Sequence, residues 1–599
     1  MNKELPEREQ IDEQFKWNLE DIFASDEDWE QEYQAVTDEL SDILQLEGKL
    51  VESGEQLFNG LEKIMSIQAR ASRVHAYAHM KQDQDTSNQQ YQALNARAQE
   101  LYHNLNDATS FVVPEILKLD RGQLAEYMEQ TPGLEKYEHF LDNILRQRQH
   151  YLSRNEEKLL AMAGEVASGP SNIFTMLNNA DLTFPLMEDE DGEEIRITHG
   201  RFIELMKSRA RRVRREAFEK LYEKYGELEN TFASTLNSSV KGHIYYARAR
   251  NYDSALEYAL DDDNVPVMVY DNLISTIKDN LEPLHRYVEL RQRELGLEEL
   301  HMYDLYTPLI PEVEIQITYQ EAREKVKQGL KPLGRDYLKL LEEGFESGWI
   351  DVYENRGKRS GAYSSGCYGV HPYVLLNYTR DVSNMFTLAH EMGHALHTYF
   401  SNQNQPYVYS EYKIFVAEVA STLNETLLLH HLLQTTDSEA KRLFYINHYL
   451  EQFRATVYRQ TMFAEFEREI HSRQEQGVPL TPSLLKELYR ELNREYYGPE
   501  VVLDQQIDLE WARIPHFYYN FYVYKYATGF SAATAIAAKI LRKGQPAVAD
   551  YLEFLKSGDA DYPLQLLKIA GVDLQSPQPI RKAIGVFEDY LDQFEQDLS

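Results

Sequence analysis

Apolar residues recur at helical spacing along most of this 599-residue chain, and this periodicity constrains the fold more than any other feature. A helix turns by about 100° per residue, so apolar side chains three and four positions apart share one face. The pattern starts after Ser25, which forms a capping pair with Asp28, and continues to a break at Gly169-Pro170. It resumes over residues 198–345. We therefore predict a mainly α fold.

Strand signals occur in two places. The acidic turn 189–192 lies between the short runs 182–185 and 195–197, which predicts a β-hairpin. Residues 349–353 and 373–378 are further strand candidates, so we predict a small antiparallel β-sheet beside the helix that follows. Because the chain is too long for a single hydrophobic core, we place a domain boundary at the hairpin. The predicted domains are residues 1–197, which are helical and end in the hairpin, and residues 198–599.

The helix after the predicted sheet carries a pattern typical of metal binding. Within residues 388–397, His390 and His394 lie about 40° apart on one helical face, where two imidazoles can bind one metal ion, and His397 shares that face. Glu391 lies about a quarter turn from His390 and can act as general base on a water at the metal without being a ligand. The sequence therefore predicts a site for one Zn²⁺ per chain. The alternative is a buried helix whose histidines bond only to their neighbours.

Two local features concern this helix. Asp381 or Ser383 can cap its N-terminus, before apolar residues at helical spacing. Gly393 weakens the helix by about 1 kcal/mol relative to alanine. A glycine beside a metal site indicates that something passes close to the helix backbone.

A zinc peptidase needs a third protein ligand, and three glutamates follow at seven-residue spacing: Glu411, Glu418 and Glu425. Glu418 lies in the apolar run 414–420, where an unpaired buried carboxylate would cost several kcal/mol unless it met a cation. We predict that Glu418 is the third ligand and that Glu425 holds the N–H of a metal-bound histidine. Glu411, nearer a polar loop, is expected to be exposed to solvent.

Two other zinc classes are tested by single positions. A metzincin would have glycine at position 397 and histidine at position 400, where this chain has His397 and Phe400. The thermolysin-like pattern usually has an aspartate four residues after the ligand glutamate, where this chain has Thr422. The sequence therefore excludes a metzincin and disfavours a thermolysin-like peptidase.

The run from His390 to His397, together with residues 415–421, resembles the thimet oligopeptidase superfamily of zinc metallopeptidases (family M3), and more narrowly oligoendopeptidase F. Residues 357–364, 372–378 and 516–529 share the similarity. The resemblance implies a two-lobed helical metallopeptidase with a deep central cleft, in which residues 198–599 form the catalytic domain. It also implies zinc-dependent hydrolysis of short unstructured oligopeptides at internal bonds.

Two further implications concern the substrate. By resemblance, the glycines of the loop 355–369 approach the substrate, although ordinary turn residues are the alternative. In relatives of this family a histidine and tyrosines from the C-terminal region face the zinc, and they map to His516, Tyr519 and Tyr522. These side chains could stabilise the anionic tetrahedral intermediate. The other aromatic residues of the run, Phe517, Phe521 and Tyr524, are expected in the core.

Composition limits the partners. The net charge of −36, from 62 basic and 98 acidic residues, argues against binding to nucleic acid or to anionic membranes. Cys367 is the only cysteine and is expected to be a structural loop thiol, so no internal disulfide can form. Neither an apolar N-terminal segment nor a long apolar run is present, and we expect a cytoplasmic protein, monomeric, with short peptides as partners. A metallocarboxypeptidase on a similar scaffold and a non-catalytic peptide-binding protein are the alternative functions.

Overall fold

The computed structural model describes residues 5–310 and 316–598, most of which are helical. The first helices in chain order are α1 (Asp26–Leu44), α2 (Gly54–Gln84), α3 (Gln89–Thr109), α4 (Val112–Ile116), α5 (Arg121–Gln130), α6 (Glu138–Arg146), α7 (Arg154–Ala167) and α8 (Gly169–Met176). The next are α9 (His199–Lys207), α10 (Arg211–Glu227), α11 (Glu229–Ala249), α12 (Ala255–Asp261), α13 (Val267–Lys278), α14 (Glu282–Glu294), α15 (Tyr319–Gly329) and α16 (Arg335–Glu346). The last are α17 (Val382–Asn404), α18 (Ile414–Thr435), α19 (Glu439–Phe453), α20 (Arg459–Glu475), α21 (Pro482–Tyr497), α22 (Tyr524–Lys543), α23 (Gln545–Lys556), α24 (Pro563–Ile569) and α25 (Gln578–Leu598). The predicted mainly α fold is confirmed.

The strands are short. They are β1 (Leu186–Glu188), β2 (Glu194–Arg196), β3 (Leu300–His301), β4 (Ile350–Asp351), β5 (Tyr363–Ser365), β6 (Tyr373–Leu375) and β7 (Val501–Val502). β1 and β2 form the predicted antiparallel hairpin, with Met187 opposite Ile195. Its first strand begins after Pro185, one residue beyond the predicted run, because proline has no N–H to donate to a strand ladder.

The sheet before α17 has the strand order β4-β6-β5. β6 pairs parallel with β4 and antiparallel with β5. The predicted antiparallel sheet is therefore wrong for the pairing of β4 with β6. The sequence prediction assigned residues 355–369 to a loop because of their glycines, and it missed β5. With β5 inserted, the chain reverses twice, so β4 and β6 run in the same direction.

The glycine-rich loop before β5 packs on the turn between α2 and α3. Gly357 has φ +80°, and a Cβ there would lie 2.3 Å from Oδ1 of Asp85. The Gly357 carbonyl accepts the backbone N–H of Thr86 at 2.7 Å. This glycine is therefore required by a turn and by a close contact within the protein. Cys367 follows β5 and is a buried free thiol, as expected.

Contacts within the chain group it into two compact units. The first unit contains Met1–Gln149, Ile315–His431 and Ile536–Val572, and the second contains His150–Glu314, Leu432–Ala535 and Asp573–Ser599. The boundary predicted between residues 197 and 198 falls inside the second unit, so it does not separate these units. Their segments are far apart in the sequence, and periodicity within a segment carries no information on which distant segments pack together.

The first unit contains the metal-motif helix. Asp381 caps α17 by accepting the backbone N–H of Asn384 at 2.8 Å. The apolar residues Met385, Leu388, Met392 and Leu396 are fully buried, and α17 contacts α15, α16, α23, β5 and β6. The helical periodicity thus buries one face of α17 and leaves the histidine positions on another.

The basic segment 209–215 lies in the second unit, at the start of α10. Arg211 and Arg214 both pair with the buried carboxylate of Asp304, and Arg212 and Arg215 pair with glutamates one turn further along. Four of the five arginines of this segment are therefore ion-paired within the protein, and Arg214 is buried. Among the helices of residues 5–310 and 316–598, none combines the length and apolarity needed to cross a membrane.

Candidate metal centre

Three of the predicted side chains converge in the first unit. One ligand atom from each of His390, His394 and Glu418 lies within 4.8 Å of the others. The two Nε2 atoms are 3.2 Å apart, and Oε2 of Glu418 lies 3.4 Å from Nε2 of His390 and 3.7 Å from Nε2 of His394. The structure therefore brings together the two histidines of α17 and one glutamate of α18.

Close contact between α17 and α18 makes this convergence possible. A Cβ on Gly393 would lie 2.6 Å from Cα of Ser421 and 2.7 Å from the carbonyl oxygen of Ala420. The side chain of Asn424 adds a hydrogen bond across the interface, since its Nδ2 donates to the carbonyl of Ala389 at 3.1 Å. The segment expected to pass close to Gly393 is thus α18.

Glu425, the residue after Asn424 in α18, contacts the metal motif directly. Its Oε1 lies 2.6 Å from Nδ1 of His390, and its side chain is 10% exposed. A carboxylate at Nδ1 holds the proton on that nitrogen and leaves Nε2 free to bind a cation. The structure therefore places the Glu425 carboxylate against the first histidine of the motif.

Glu418 differs from expectation in its surroundings. Its side chain is 34% exposed, whereas its neighbours Phe415, Val416 and Val419 are buried. The apolar run packs on the other sides of α18, and Glu418 lies on the side that faces the histidines. Ser421 Oγ donates to Oε2 of Glu418 at 3.1 Å. The inference that Glu418 needs a cation because it is buried is therefore wrong, although its position beside the imidazoles is as predicted.

Glu391 is buried next to this group, with 7% of its surface exposed. Burial raises the pKa of its carboxyl to about 7, and the charges of Glu418 and Glu425 act in the same direction, while His390 and the backbone N–H of Ser364 oppose them. Ser364 belongs to β5, so the sheet supplies a hydrogen bond to this carboxylate. A carboxyl group that titrates near neutral pH can take up and release a proton during a reaction.

The carboxylates also determine the electrostatics of the histidines. Burial alone would lower the pKa of His390, but the hydrogen bond to Glu425 and the charges of Glu391 and Glu418 raise it to about 9. Burial and the charge of His390 lower the pKa of His394 to about 3. The carboxylates around His390 thus stabilise a positive charge placed between them. Two imidazoles and one carboxylate within this space fit a divalent ion such as zinc.

His397 lies apart from this group. It is 1% exposed, and its ring stacks on Tyr412 at 3.7 Å between centroids. Its Nδ1 has no hydrogen-bond partner within the described part of the chain. Tyr412, for which the sequence carries no signal, donates from its hydroxyl to the carbonyl of His394 at 3.4 Å.

The second unit holds the predicted aromatic group. The rings of His516 and Tyr522 lie 6.3 Å apart, and Tyr519 lies 5.6 Å from His516 and 6.5 Å from Tyr522. Tyr526, which the sequence prediction did not select, lies 5.3 Å from Tyr522. The structure therefore brings His516, Tyr519 and Tyr522 together with one another. Phe517, Phe521 and Tyr524 are buried, as predicted for core residues.

Comparison with known proteins identifies relatives along nearly the whole chain. The model of Peptidase family M3 matches residues 204–586, and that of Oligopeptidase F matches residues 115–184. Oligopeptidase PepF of Bacillus subtilis (strain 168) is 49% identical over 99% of this chain and 88% of its own length. Group B oligopeptidase PepB of Streptococcus agalactiae is 42% identical over 98% of each chain. The solved oligoendopeptidase-F of Enterococcus faecium is 41% identical, with a TM-score of 0.75 over 96% of this chain and 99% of that chain.

Proposed function

This chain belongs to peptidase family M3 and is an oligopeptide-hydrolysing metalloendopeptidase, and we propose that it binds one Zn²⁺ through His390, His394 and Glu418 and uses Glu391 as general base. The observation that carries this proposal is the convergence of those three ligand atoms within 4.8 Å. The contact of Glu425 with His390 supports it, because it leaves Nε2 available for a cation. When bound, Zn²⁺ would acidify a water molecule and polarise the scissile carbonyl.

The residues of the chain perform the proton transfers. Glu391 takes the proton of the attacking water and delivers it to the departing amine. Its buried carboxyl, with a pKa raised to about 7, suits both steps. His397, whose ring stacks on that of Tyr412, would support the metal ligands without binding the ion.

The substrate backbone has a complementary element nearby. β5 pairs only with β6 among the described strands, so it forms an edge of the sheet. An extended peptide can add to such an edge through main-chain hydrogen bonds, which read the backbone rather than the side chains. We propose that short unstructured peptides bind in this way, in the deep cleft that the family resemblance implies.

From the family resemblance, we propose that His516, Tyr519 and Tyr522 stabilise the oxyanion of the tetrahedral intermediate. His516, Tyr519 and Tyr522 present an imidazole and two hydroxyls in one group. Partial burial and the nearby Arg459 guanidinium lower the pKa of His516, so its ring is neutral at pH 7 and can donate one N–H. Donors of this kind can stabilise the transition state by about 3–4 kcal/mol.

The cytoplasmic location and the monomeric state of this protein stay predictions.

Paired substitutions test the metal centre. We expect Glu391→Gln to keep bound zinc while the kcat for a quenched peptide falls at least about a hundredfold, because the general base is lost. We expect Glu418→Ala to lose both zinc and activity. Glu411→Gln, which alters an exposed carboxylate just before α18, is the matched control and should retain both zinc and activity. Metal content by mass spectrometry and the cleavage rate are measured together. Near-normal activity of Glu391→Gln would refute the mechanism.

The same assay separates the alternatives. Cleavage that persists when the peptide carries a C-terminal amide supports an endopeptidase, and loss of cleavage indicates a carboxypeptidase. Bound zinc without turnover of any peptide indicates a binding protein.

A further inference from the structure

Glu467 of α20 is a buried carboxyl group in the second unit that the proposed chemistry does not use. It is 0% exposed, and its Oε1 accepts the backbone N–H of Phe521 at 2.6 Å. Its Oε2 has no hydrogen-bond partner among the described residues. A buried carboxyl with a single polar partner is costly to retain. The contact with Phe521 is therefore the feature that needs an explanation.

Phe521 lies in an unusual turn. Asn520 has φ +47° and Phe521 has φ +59°, so two consecutive residues with side chains adopt the left-handed region. Asparagine tolerates this conformation, but a bulky aromatic residue seldom adopts it. Such a backbone persists only where its surroundings hold it in place. The hydrogen bond from the Phe521 N–H to Glu467 is one such restraint.

Packing supplies the other restraints. The Phe521 ring is 2% exposed and lies 4.4 Å from the His471 ring and 5.7 Å from the Tyr270 ring. His471 is itself fixed, since its Nδ1 lies 2.8 Å from the Glu467 carbonyl and its Nε2 lies 3.1 Å from Nδ1 of His243. Both histidines have pKa values lowered by burial, which keeps them neutral. Phe521 is therefore held by rigid, uncharged neighbours.

The residues on either side of this turn belong to the aromatic group. Tyr519 precedes Asn520, and Tyr522 follows Phe521. Tyr519 is 53% exposed, whereas Phe521 between them is buried. Because the chain bends through two consecutive left-handed residues, the φ angles of Asn520 and Phe521 determine how the two tyrosines are oriented relative to each other.

We propose that Glu467 is a positioning residue that holds the left-handed turn at Asn520-Phe521, and thereby the orientation of Tyr519 and Tyr522 in the reaction. The proposal rests on the oxyanion role given to these tyrosines above. Glu467 does not touch the reacting atoms, and it acts only through the Phe521 backbone. Burial raises the pKa of its carboxyl to about 8, so the group is neutral at pH 7 and glutamine is a close mimic.

Three variants test the proposal. Glu467→Leu removes the hydrogen-bond acceptor, and Glu467→Gln keeps it. Glu465→Leu is the matched control, because Glu465 is a buried carboxylate on the same helix that binds Lys278 and Tyr496 instead. Circular dichroism and the thermal midpoint establish that each variant folds. If Glu467→Leu does not fold, Glu467→Ala replaces it, since it leaves space rather than adding an apolar group.

Steady-state kinetics give the first measurement. We expect Glu467→Leu to lower kcat at least about tenfold with little change in KM, because the tyrosines act on the transition state. We expect Glu467→Gln to restore wild-type kcat and Glu465→Leu to leave kcat unchanged. In a Tyr519→Phe/Tyr522→Phe background, Glu467→Leu should have no further effect. If Glu467→Leu has the wild-type kcat, or if Glu465→Leu lowers kcat equally, the positioning role of Glu467 is wrong. Neither result affects the proposed peptidase mechanism.

A spectroscopic measurement separates the two proposals. With 3-fluorotyrosine at position 522, we expect the ¹⁹F resonance to shift or broaden in Glu467→Leu and to match wild type in Glu467→Gln and Glu465→Leu. If Tyr519→Phe and Tyr522→Phe retain full activity, the oxyanion role fails, and the ¹⁹F spectra alone decide whether Glu467 positions the turn. Identical spectra for wild type and Glu467→Leu overturn the proposal.

Discussion

At the scale of single residues, the contact between Glu425 and His390 orients one histidine of the proposed metal site. Oε1 of Glu425 lies 2.6 Å from Nδ1 of His390, and this contact selects the nitrogen that is left to bind a cation. Groups that orient a metal-bound histidine in this way usually change metal affinity by about 10–100-fold.

Glu425→Ala should therefore weaken zinc binding by about that factor, without removing any ligand. Competition with a chromophoric chelator measures the dissociation constant. Glu411→Ala, at an exposed glutamate that precedes the same helix, is the control and should bind zinc like the wild type. Equal zinc affinity in Glu425→Ala and wild type would show that the contact does not orient His390.

Glu467 leads to a prediction about pH and stability. Burial raises its pKa from 4.5 to about 8 in the folded protein. Below pH 4.5 both states are protonated, and as the pH rises towards 8 only the unfolded state loses the proton, so the free energy of unfolding falls. Glu467→Gln removes this dependence. We expect the variant to gain up to a few kcal/mol over the wild type between pH 5 and 8.

Denaturant midpoints at several pH values measure the difference in stability between the wild type and Glu467→Gln. Every other titrating group is present in both proteins, so its contribution cancels in this difference. Glu465→Gln, whose carboxylate is ion-paired with Lys278, should not gain stability as the pH rises. A constant difference between wild type and Glu467→Gln across this range would mean that Glu467 is not held neutral.

At the scale of elements, the distance between α17 and α18 determines whether the site can form. The Cβ of an alanine at position 393 would lie 2.6 Å from Cα of Ser421, and backbone atoms cannot move aside as a flexible side chain can. Gly393→Ala should therefore push the helices apart, destabilise the fold by about 1–3 kcal/mol and weaken zinc binding.

The control is Gly242→Ala in α11, where a Cβ would meet nothing within 4 Å. That substitution should be neutral or stabilising by about 1 kcal/mol, because alanine favours a helix. Thermal midpoints and zinc affinity are compared for the two variants. A stable Gly393→Ala with normal zinc affinity would contradict the role of the helix contact.

At the scale of the whole molecule, the net charge of −36 should influence substrate capture. A strongly acidic protein attracts cationic peptides, and salt screens this attraction over about 10 Å at 0.1 M. For peptides that share one scissile sequence, kcat/KM for a variant flanked by two lysines should fall several-fold between about 20 and 200 mM salt. A peptide flanked by glutamines should change little, and one flanked by glutamates should improve. The same salt dependence for all three peptides would exclude long-range steering.

Much of this protein follows from local sequence pattern. The starts of α1 and α17 follow from Ser25 and Asp381 at their N-caps, and the position of His390 and His394 on one helical face follows from the helical repeat. These predictions succeed because capping and periodicity involve residues only a few positions apart. The aromatic group at 516–522 was selected by family resemblance, and its residues do cluster, although no local pattern requires that.

Only the tertiary structure decided the features that depend on distant contacts. These are the parallel pairing of β4 with β6, the two compact units, the partly exposed position of Glu418 and the hydrogen bond between Glu467 and Phe521. Each of them joins segments that are separated in the chain, or depends on which side of a helix another element covers. The energy of such a contact depends on both of the surfaces that meet when the chain folds. The pattern along a single segment therefore cannot predict it.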